Sequence, residues 1–267
     1  MNGLPTLLVC ALAPLLALAA CSSDAETPRP VEVETKTTAI AQASSAEGVS
    51  LKEETERFSY TLAYPAEVGA IPALAREIKR REDATKSQML ADAESDRKAS
   101  KEGTFPYRQH SLSVDWKVAA DLPEWLSLTR EFATYTGGAH GIYGVTSLVW
   151  NKLEGRALEG ADFFVSPAAL TGAVADTYCP ALDRQREAKN GTAPDSSSPF
   201  GQCPDVTELT IIPGSSNGRT FDRVGFYAGP YVAGSYAEGS YEVTLPVDAR
   251  IMEAVKPEYR DAFAVAR

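Results

Sequence analysis

Residues 124–150, which read EWLSLTREFATYTGGAHGIYGVTSLVW, carry the most informative pattern for the fold. In its first half, Leu126, Leu128 and Phe132 share one parity, which is the period-two pattern of a β-strand with one buried face. A second strand pattern covers residues 143–150. The segment TGGAHG between the two strands is short and rich in glycine, which supplies the positive φ angles of tight turns. We therefore predict a β-hairpin with TGGAHG as its turn.

Three glycines of this turn, Gly137, Gly138 and Gly141, are predicted to be required by the backbone. Arg130 lies on the apolar parity of the first strand. A buried arginine needs a partner, so Arg130 is either half-buried and paired with a carboxylate, or this strand is not one-sided.

His140 stands in the turn and is one of two histidines in the chain, the other being His110. Histidine catalysis would need a nucleophile and an orienting acid, but the sequence has no G-x-S-x-G, H-E-x-x-H, P-loop or G-x-G-x-x-G motif. We therefore expect a protein that is not an enzyme, with no catalytic residue, no metal site and no cofactor. His140 is interpreted as a residue of the turn or as a ligand contact, and a hydrolase that acts through His140 is the alternative.

Outward from the hairpin, strand and helix patterns alternate along the chain. FSYTLAY at residues 58–64 reads as a strand, residues 71–99 as a charged amphipathic helix, and residues 112–118 as another strand. Ser166 followed by Pro167 is typical of a helix start, with serine as the N-cap and proline at the first helical position.

That second helix is predicted over residues 167–189, and a short terminal helix near Asp248. Further strands are predicted at residues 206–212, 220–227 and 241–245. This order predicts an α+β fold with antiparallel sheets, each packed by one main helix.

Cys179 and Cys203 flank a helix end and a loop. An even pair in an oxidising compartment favours a disulfide, which would contribute roughly 3 kcal/mol. A zinc site made of both cysteines and both histidines is the alternative, but it lacks the closely spaced ligand pairs of structural zinc sites.

The first 20 residues form an uncharged apolar segment that ends in small residues, which is the layout of a secretory signal. The residues Leu18-Ala19-Ala20-Cys21 resemble the lipobox of bacterial lipoproteins, which implies lipidation of Cys21 and anchoring to a membrane. Ser22 after the cysteine favours the outer membrane by the same resemblance, and a plain secretory signal is the alternative. Residues 21–56 are rich in Ala, Ser, Thr and Glu, with no aromatic residue after the cysteine, and predict a flexible, disordered tether.

The formal net charge is −10, which argues against a nucleic-acid-binding surface. Late in the chain, FYAGPYVAGSYAEGSYEVTLP carries four tyrosines among small residues. Such rings are favoured at interfaces. The alternative is that these tyrosines cap and line a sheet edge.

TGGAHG, the turn with Gly155, the DFF-S-P-A helix entry and the late tyrosine stretch together resemble a pair of uncharacterised extracytoplasmic domains that occur in tandem. This pair forms the ectodomain of lysozyme-sensing anti-sigma factors and precedes the catalytic domain of some peptidoglycan deacetylases. The resemblance covers about residues 55–250 and implies a module that works at the cell envelope. The sequence departs from these relatives in two respects: it has no sigma-binding segment and no deacetylase domain.

We therefore divide the chain into a signal peptide (1–20), a tether (21–56), a first α+β module (57–158) and a second one (159–267). The predicted function is that of a periplasmic, lipid-anchored module that binds a lysozyme-like protein or a peptidoglycan fragment. A cell-wall hydrolase and a structural or assembly lipoprotein are the alternatives. The candidate binding residues come from the hairpin and the late stretch: Tyr135, Thr136, His140, Tyr143, Tyr231 and Tyr236.

Overall fold

A computed structural model of the chain describes residues 47–267. The predicted signal peptide, Cys21 and most of the predicted tether lie outside these residues. Within them, no helix is both long and apolar enough to cross a membrane.

The first half of the described chain forms one six-stranded sheet with strand order β1-β2-β3-β4-β5-β6. The strands are β1 (Val49–Glu54), β2 (Phe58–Tyr64), β3 (His110–Asp121), β4 (Trp125–Tyr135), β5 (Ile142–Asn151) and β6 (Arg156–Leu158). Neighbouring strands are antiparallel except β2 and β3, which are parallel. A parallel pair needs a long crossover connection. Here it consists of α1 (Ala66–Gly69) and the 32-residue helix α2 (Pro72–Gly103).

Strand β1 corrects the predicted extent of the tether, which included residues 49–54. Its six residues pair in register with β2, from Val49 opposite Tyr64 to Glu54 opposite Ser59. A backbone ladder orders this segment although it carries few apolar side chains. A Lys86–Glu53 ion pair, with Nζ and Oε1 2.6 Å apart, also ties it to α2.

Helix α2 packs on one face of this sheet. Alternate residues of the inner strands point toward it, as their period-two pattern predicts. The core between them contains Phe58, Tyr60, Leu62, Leu74, Ile78, Leu112, Val114, Trp116, Leu126, Leu128, Leu148 and Trp150.

The second half contains a three-stranded antiparallel sheet in the order β7-β8-β9. Its strands are β7 (Thr210–Gly214), β8 (Arg223–Ala228) and β9 (Tyr241–Pro246). Helix α3 (Pro167–Asn190) packs against this sheet, and α4 (Ala249–Ala254) packs against α3. The α+β class and the pairing of each sheet with one main helix are thus confirmed, with β2/β3 as the parallel exception.

Two local signals explain the boundaries in this half. The Ser166 side chain accepts a hydrogen bond from the Ala169 amide, so the predicted N-cap of α3 is confirmed. Strand β7 begins later than predicted because Asp205 and Glu208 cap a 3₁₀ turn over Val206–Glu208. The disulfide between Cys179 and Cys203 is present, with the two Cα atoms 5.5 Å apart. The pairing predicted from the sequence is therefore confirmed, and both cysteines are unavailable to zinc.

The core of the second half extends into the first. Trp125, Val149 and Leu158 of the six-stranded sheet pack in one buried cluster with residues of α3, the three-stranded sheet and the C-terminal segment. Strand β4 is therefore buried on both faces where it begins, since Leu126 and Leu128 face the other core.

Candidate functional site

The β4–β5 hairpin places TGGAHG in a tight turn. The last pairs of the ladder are Ala133 with Tyr143 and Thr134 with Ile142. Gly137 has φ +87°, and a Cβ at Gly141 would lie 2.6 Å from the Thr134 carbonyl oxygen. Both positions therefore require glycine.

Gly138 does not share this requirement, which corrects the prediction for the third glycine. Its φ is not in the left-handed region, and a Cβ there would meet nothing closer than 4.0 Å. The Tyr135 hydroxyl donates to the Gly138 carbonyl at 3.1 Å, so Tyr135 braces the turn. Thr136 is exposed and makes no side-chain hydrogen bond within residues 47–267.

His140 projects from this turn onto two tyrosines of the late stretch. Its ring stacks on that of Tyr236, with centroids 3.9 Å apart and planes at 26°. The Tyr231 ring lies 6.4 Å from His140 and 5.7 Å from Tyr236. Tyr143 meets Tyr236 edge-on at 5.9 Å. We call these four residues, His140, Tyr143, Tyr231 and Tyr236, the aromatic cluster.

Hydrogen bonds fix the orientation of the His140 ring. Its Nδ1 lies 2.9 Å from the Gly141 carbonyl oxygen, which can only accept, so this nitrogen carries the proton. Its Nε2 lies 3.4 Å from the Tyr231 hydroxyl. The Tyr236 hydroxyl also donates to the Gly141 carbonyl, at 2.8 Å. Turn and late loop are thereby joined through polar groups as well as rings.

Tyr231 combines exposure with an unusual backbone. The residue is 51% exposed, and its φ is +70°. A bulky residue in this left-handed region costs on the order of 1–3 kcal/mol and persists only where surrounding contacts impose it. One such contact is the hydrogen bond from the Tyr231 amide to the Gly234 carbonyl at 3.0 Å.

The two remaining tyrosines of the late stretch are not part of the exposed cluster. Tyr227 on β8 and Tyr241 on β9 are buried, so the alternative of sheet-lining tyrosines holds for these two. The second histidine, His110, is also buried, with its Nε2 3.2 Å from an Asp96 oxygen and its ring stacked on Tyr107.

The C-terminal end of α3 braces the loop that carries Tyr231 and Tyr236. Buried Arg186 donates to the carbonyls of Ala233 and Gln202 at 2.8 and 2.9 Å. Lys189 donates to the Glu238 carbonyl at 3.1 Å and lies 3.8 Å above the Tyr241 ring. Cys203 of the disulfide directly follows Gln202 in the chain. Arg186 therefore holds both the disulfide-bonded segment and the loop that carries Tyr231 and Tyr236.

Glu238 is a central residue of this brace. Its carboxylate accepts from Asn190 at 2.8 Å, from the Tyr241 hydroxyl at 2.7 Å and from the Ser235 amide at 2.9 Å. These donors, Asn190 first, hold the pKa of Glu238 down to about 2. Sequence reasoning missed this residue, although Ser235-x-x-Glu238 matches a capping box and the structure forms one.

Within the described part of the chain, no group of three His, Cys, Asp or Glu residues is arranged to hold a metal ion.

Comparison with known proteins connects the hairpin to a family. Residues 51–143 match the family model described as "Deacetylase PdaC". The resemblance inferred from the sequence is thereby confirmed over this segment, which runs from β1 through the TGGAHG turn.

Two solved structures also resemble the chain. A member of the DUF3298 family from Bacteroides fragilis NCTC 9343 is 18% identical, with a TM-score of 0.46, and the match covers 82% of this chain and 95% of that one. A DUF3298 family protein from Pseudomonas aeruginosa PAO1 is 16% identical, with a TM-score of 0.47 and coverage of 83% and 96%. No curated protein sequence matches the chain.

Proposed function

We propose that this protein is a non-catalytic binding module of the bacterial cell envelope that holds a cell-wall glycan at the aromatic cluster. The proposal includes a lipid anchor at Cys21 and a periplasmic location. The observation that carries it is the stacking of His140 on Tyr236 at 3.9 Å, beside the exposed ring of Tyr231.

Ring faces with polar tips suit a saccharide. Its apolar C–H faces can pack on the rings, while its hydroxyl groups find donors and acceptors at the ring edges. Both nitrogens of His140 are engaged by Gly141 and Tyr231. This arrangement supports a role of His140 in orienting the cluster.

The family match supports the envelope setting. The matched segment belongs to a family model named for a deacetylase, and the sequence resembles domains that accompany peptidoglycan deacetylases. A cell-wall glycan is therefore the ligand class that best joins the site with this resemblance.

The test is a calorimetric titration of the purified full-length chain with a hexamer of β-linked N-acetylglucosamine. Removing one stacking ring costs about 0.5–1.5 kcal/mol, so Tyr231→Ala should weaken binding roughly twofold to twelvefold. Phe105→Ala is the matched control, because Phe105 is 53% exposed, as Tyr231 is 51% exposed, but lies after α2. It should leave the affinity unchanged.

The same titration with a basic lysozyme, at low and high salt, separates the protein ligand from the glycan. If lysozyme binds at both salt concentrations and the hexamer does not bind, the glycan proposal is wrong. Product analysis after incubation tests the hydrolase alternative, because release of shorter sugars that depends on His140 would contradict a non-catalytic role.

A further inference from the structure

A groove continues from the aromatic cluster along the space between the two sheets. Its near part has a volume of about 560 Å³ and begins at Tyr143. Its far part has a volume of about 390 Å³ and ends near Ser215 and Arg223. The two parts are one groove, since they share four lining residues: Glu131, Val145, Tyr227 and Glu242.

One wall is the face of the six-stranded sheet opposite α2, and the other is the outer face of the three-stranded sheet. On β3, the lining runs from Ser113 in the near part to Ala119 in the far part. At about 3.4 Å per strand residue, these six steps span roughly 20 Å. The groove is therefore long enough for several sugar rings placed end to end.

The chemistry of the lining suits a saccharide chain. Hydroxyl groups line it at Ser113, Thr129, Ser240 and Thr244, and carboxylates at Asp115, Glu131 and Glu242. Lys117 donates to Glu131 at 2.6 Å, so positive and negative groups are interleaved along the groove. Such side chains can donate to and accept from sugar hydroxyls. The largely buried side chain of Tyr227 forms part of the lining of both parts.

The wall formed by the six-stranded sheet offers an extended peptide no strand edge. Strands β3 and β4 are inner strands whose backbone groups pair with neighbours on both sides. A peptide would therefore find no free edge on this wall to join as an added strand.

We propose that the groove binds a linear saccharide of several rings, with one end at the aromatic cluster and the other near Thr244 and Arg223. This inference rests on the proposed function and adds the length and direction of the ligand. The protein would thus recognise a glycan chain rather than a single sugar.

The test compares dimers and hexamers of β-linked N-acetylglucosamine on the full-length chain. The hexamer should bind at least tenfold more tightly than the dimer. Thr244→Trp fills the far part only, so it should lower hexamer affinity to that of the dimer and leave the dimer unchanged. Thr129→Trp fills the same part from the opposite wall and should reproduce the effect. Ser50→Trp, at an exposed position on β1, is the control that should change neither affinity.

The extended binding groove is wrong if the dimer and the hexamer bind with equal affinity, or if both tryptophan variants leave hexamer binding intact. Either result would still leave the aromatic cluster as a glycan site. If neither saccharide binds, the proposed function is itself wrong, and the groove proposal is wrong with it.

Discussion

The carboxylate of Glu82 is almost completely buried, since its side chain is 1% exposed. Arg130 donates to its two oxygens at 2.7 and 2.8 Å, and the Trp116 indole donates at 3.1 Å. The sequence predicted that Arg130 would be half-buried with a carboxylate partner or would lie on a strand that is not one-sided, and the first possibility is confirmed. The pair joins α2 to β4, 48 residues apart.

Arg130→Met should destabilise the fold by about 3 kcal/mol, because it leaves the Glu82 charge buried without its partner. Urea unfolding measures this difference. Arg97→Met is the matched control: Arg97 lies 3.8 Å from Glu56, whose side chain is 84% exposed. Such surface pairs contribute at most about 1 kcal/mol. A loss below 1 kcal/mol for Arg130→Met would show that the buried ion pair between α2 and β4 does not stabilise the fold as described.

The loop that carries Tyr231 and Tyr236 is stabilised by Glu238. The pKa of this carboxyl is about 2 in the folded protein, below its ordinary value of 4.5. A carboxyl whose pKa is lower in the folded state than in the unfolded state stabilises the fold at pH values above its unfolded-state pKa. This contribution is lost as the pH falls through the folded-state pKa. The affected range is therefore about pH 5 to pH 2.

Glu238→Gln should lower the free energy of unfolding by roughly 1–2 kcal/mol at pH 7, after allowance for solvent screening. The gap between the two proteins should narrow as the pH falls from 5 toward 2. Urea unfolding at pH 7 and at pH 3 measures both effects. Glu187→Gln, at an exposed position on the last turns of α3, is the control. Its free energy of unfolding should change with pH in the same way as that of the wild type. A constant gap for Glu238→Gln would contradict the assigned role.

Elements with a local sequence signal could be predicted from the sequence. The β4–β5 hairpin follows from period-two patterns and a glycine-rich turn, and the start of α3 follows from Ser166-Pro167. Strand β1 could not be predicted this way, because its order comes from pairing with β2 rather than from its own composition. The parallel pairing of β2 with β3 is also non-local, since α2 lies between them.

The same limit applies to the aromatic cluster. Sequence reasoning selected the turn with His140 and the stretch with Tyr231 and Tyr236 separately. Their contact joins residues 91 positions apart, and no local pattern encodes it. The groove could not be predicted because its lining residues are ordinary outward-facing positions on strands, which form a groove only when one sheet lies over another.

In the molecule as a whole, the buried core of the second half also contains residues of the first. Trp125 and Val149 of the six-stranded sheet pack with residues as distant as Phe263. The described chain should therefore unfold in one cooperative transition. Trp125→Ala should lower the melting temperature of both halves together.

Calorimetry with circular dichroism at two wavelength ranges tests this expectation. Coincident curves are expected for the wild type and for Trp125→Ala. Tyr231→Ala is the control: it lies outside this core and should shift the melting temperature far less. Two separate transitions would instead support two independently folding modules.

The aromatic cluster takes His140 from the first half and Tyr231 and Tyr236 from the second. A ligand held there touches both halves at once and can bind only the assembled molecule. Binding and folding are then thermodynamically linked: at a ligand concentration of 100 times Kd, the folded state gains about 2.7 kcal/mol. Under the proposed function, an unfolded chain in the envelope would be exposed to proteases. The protein would then last longest where the glycan is abundant, and its turnover would report the state of the wall.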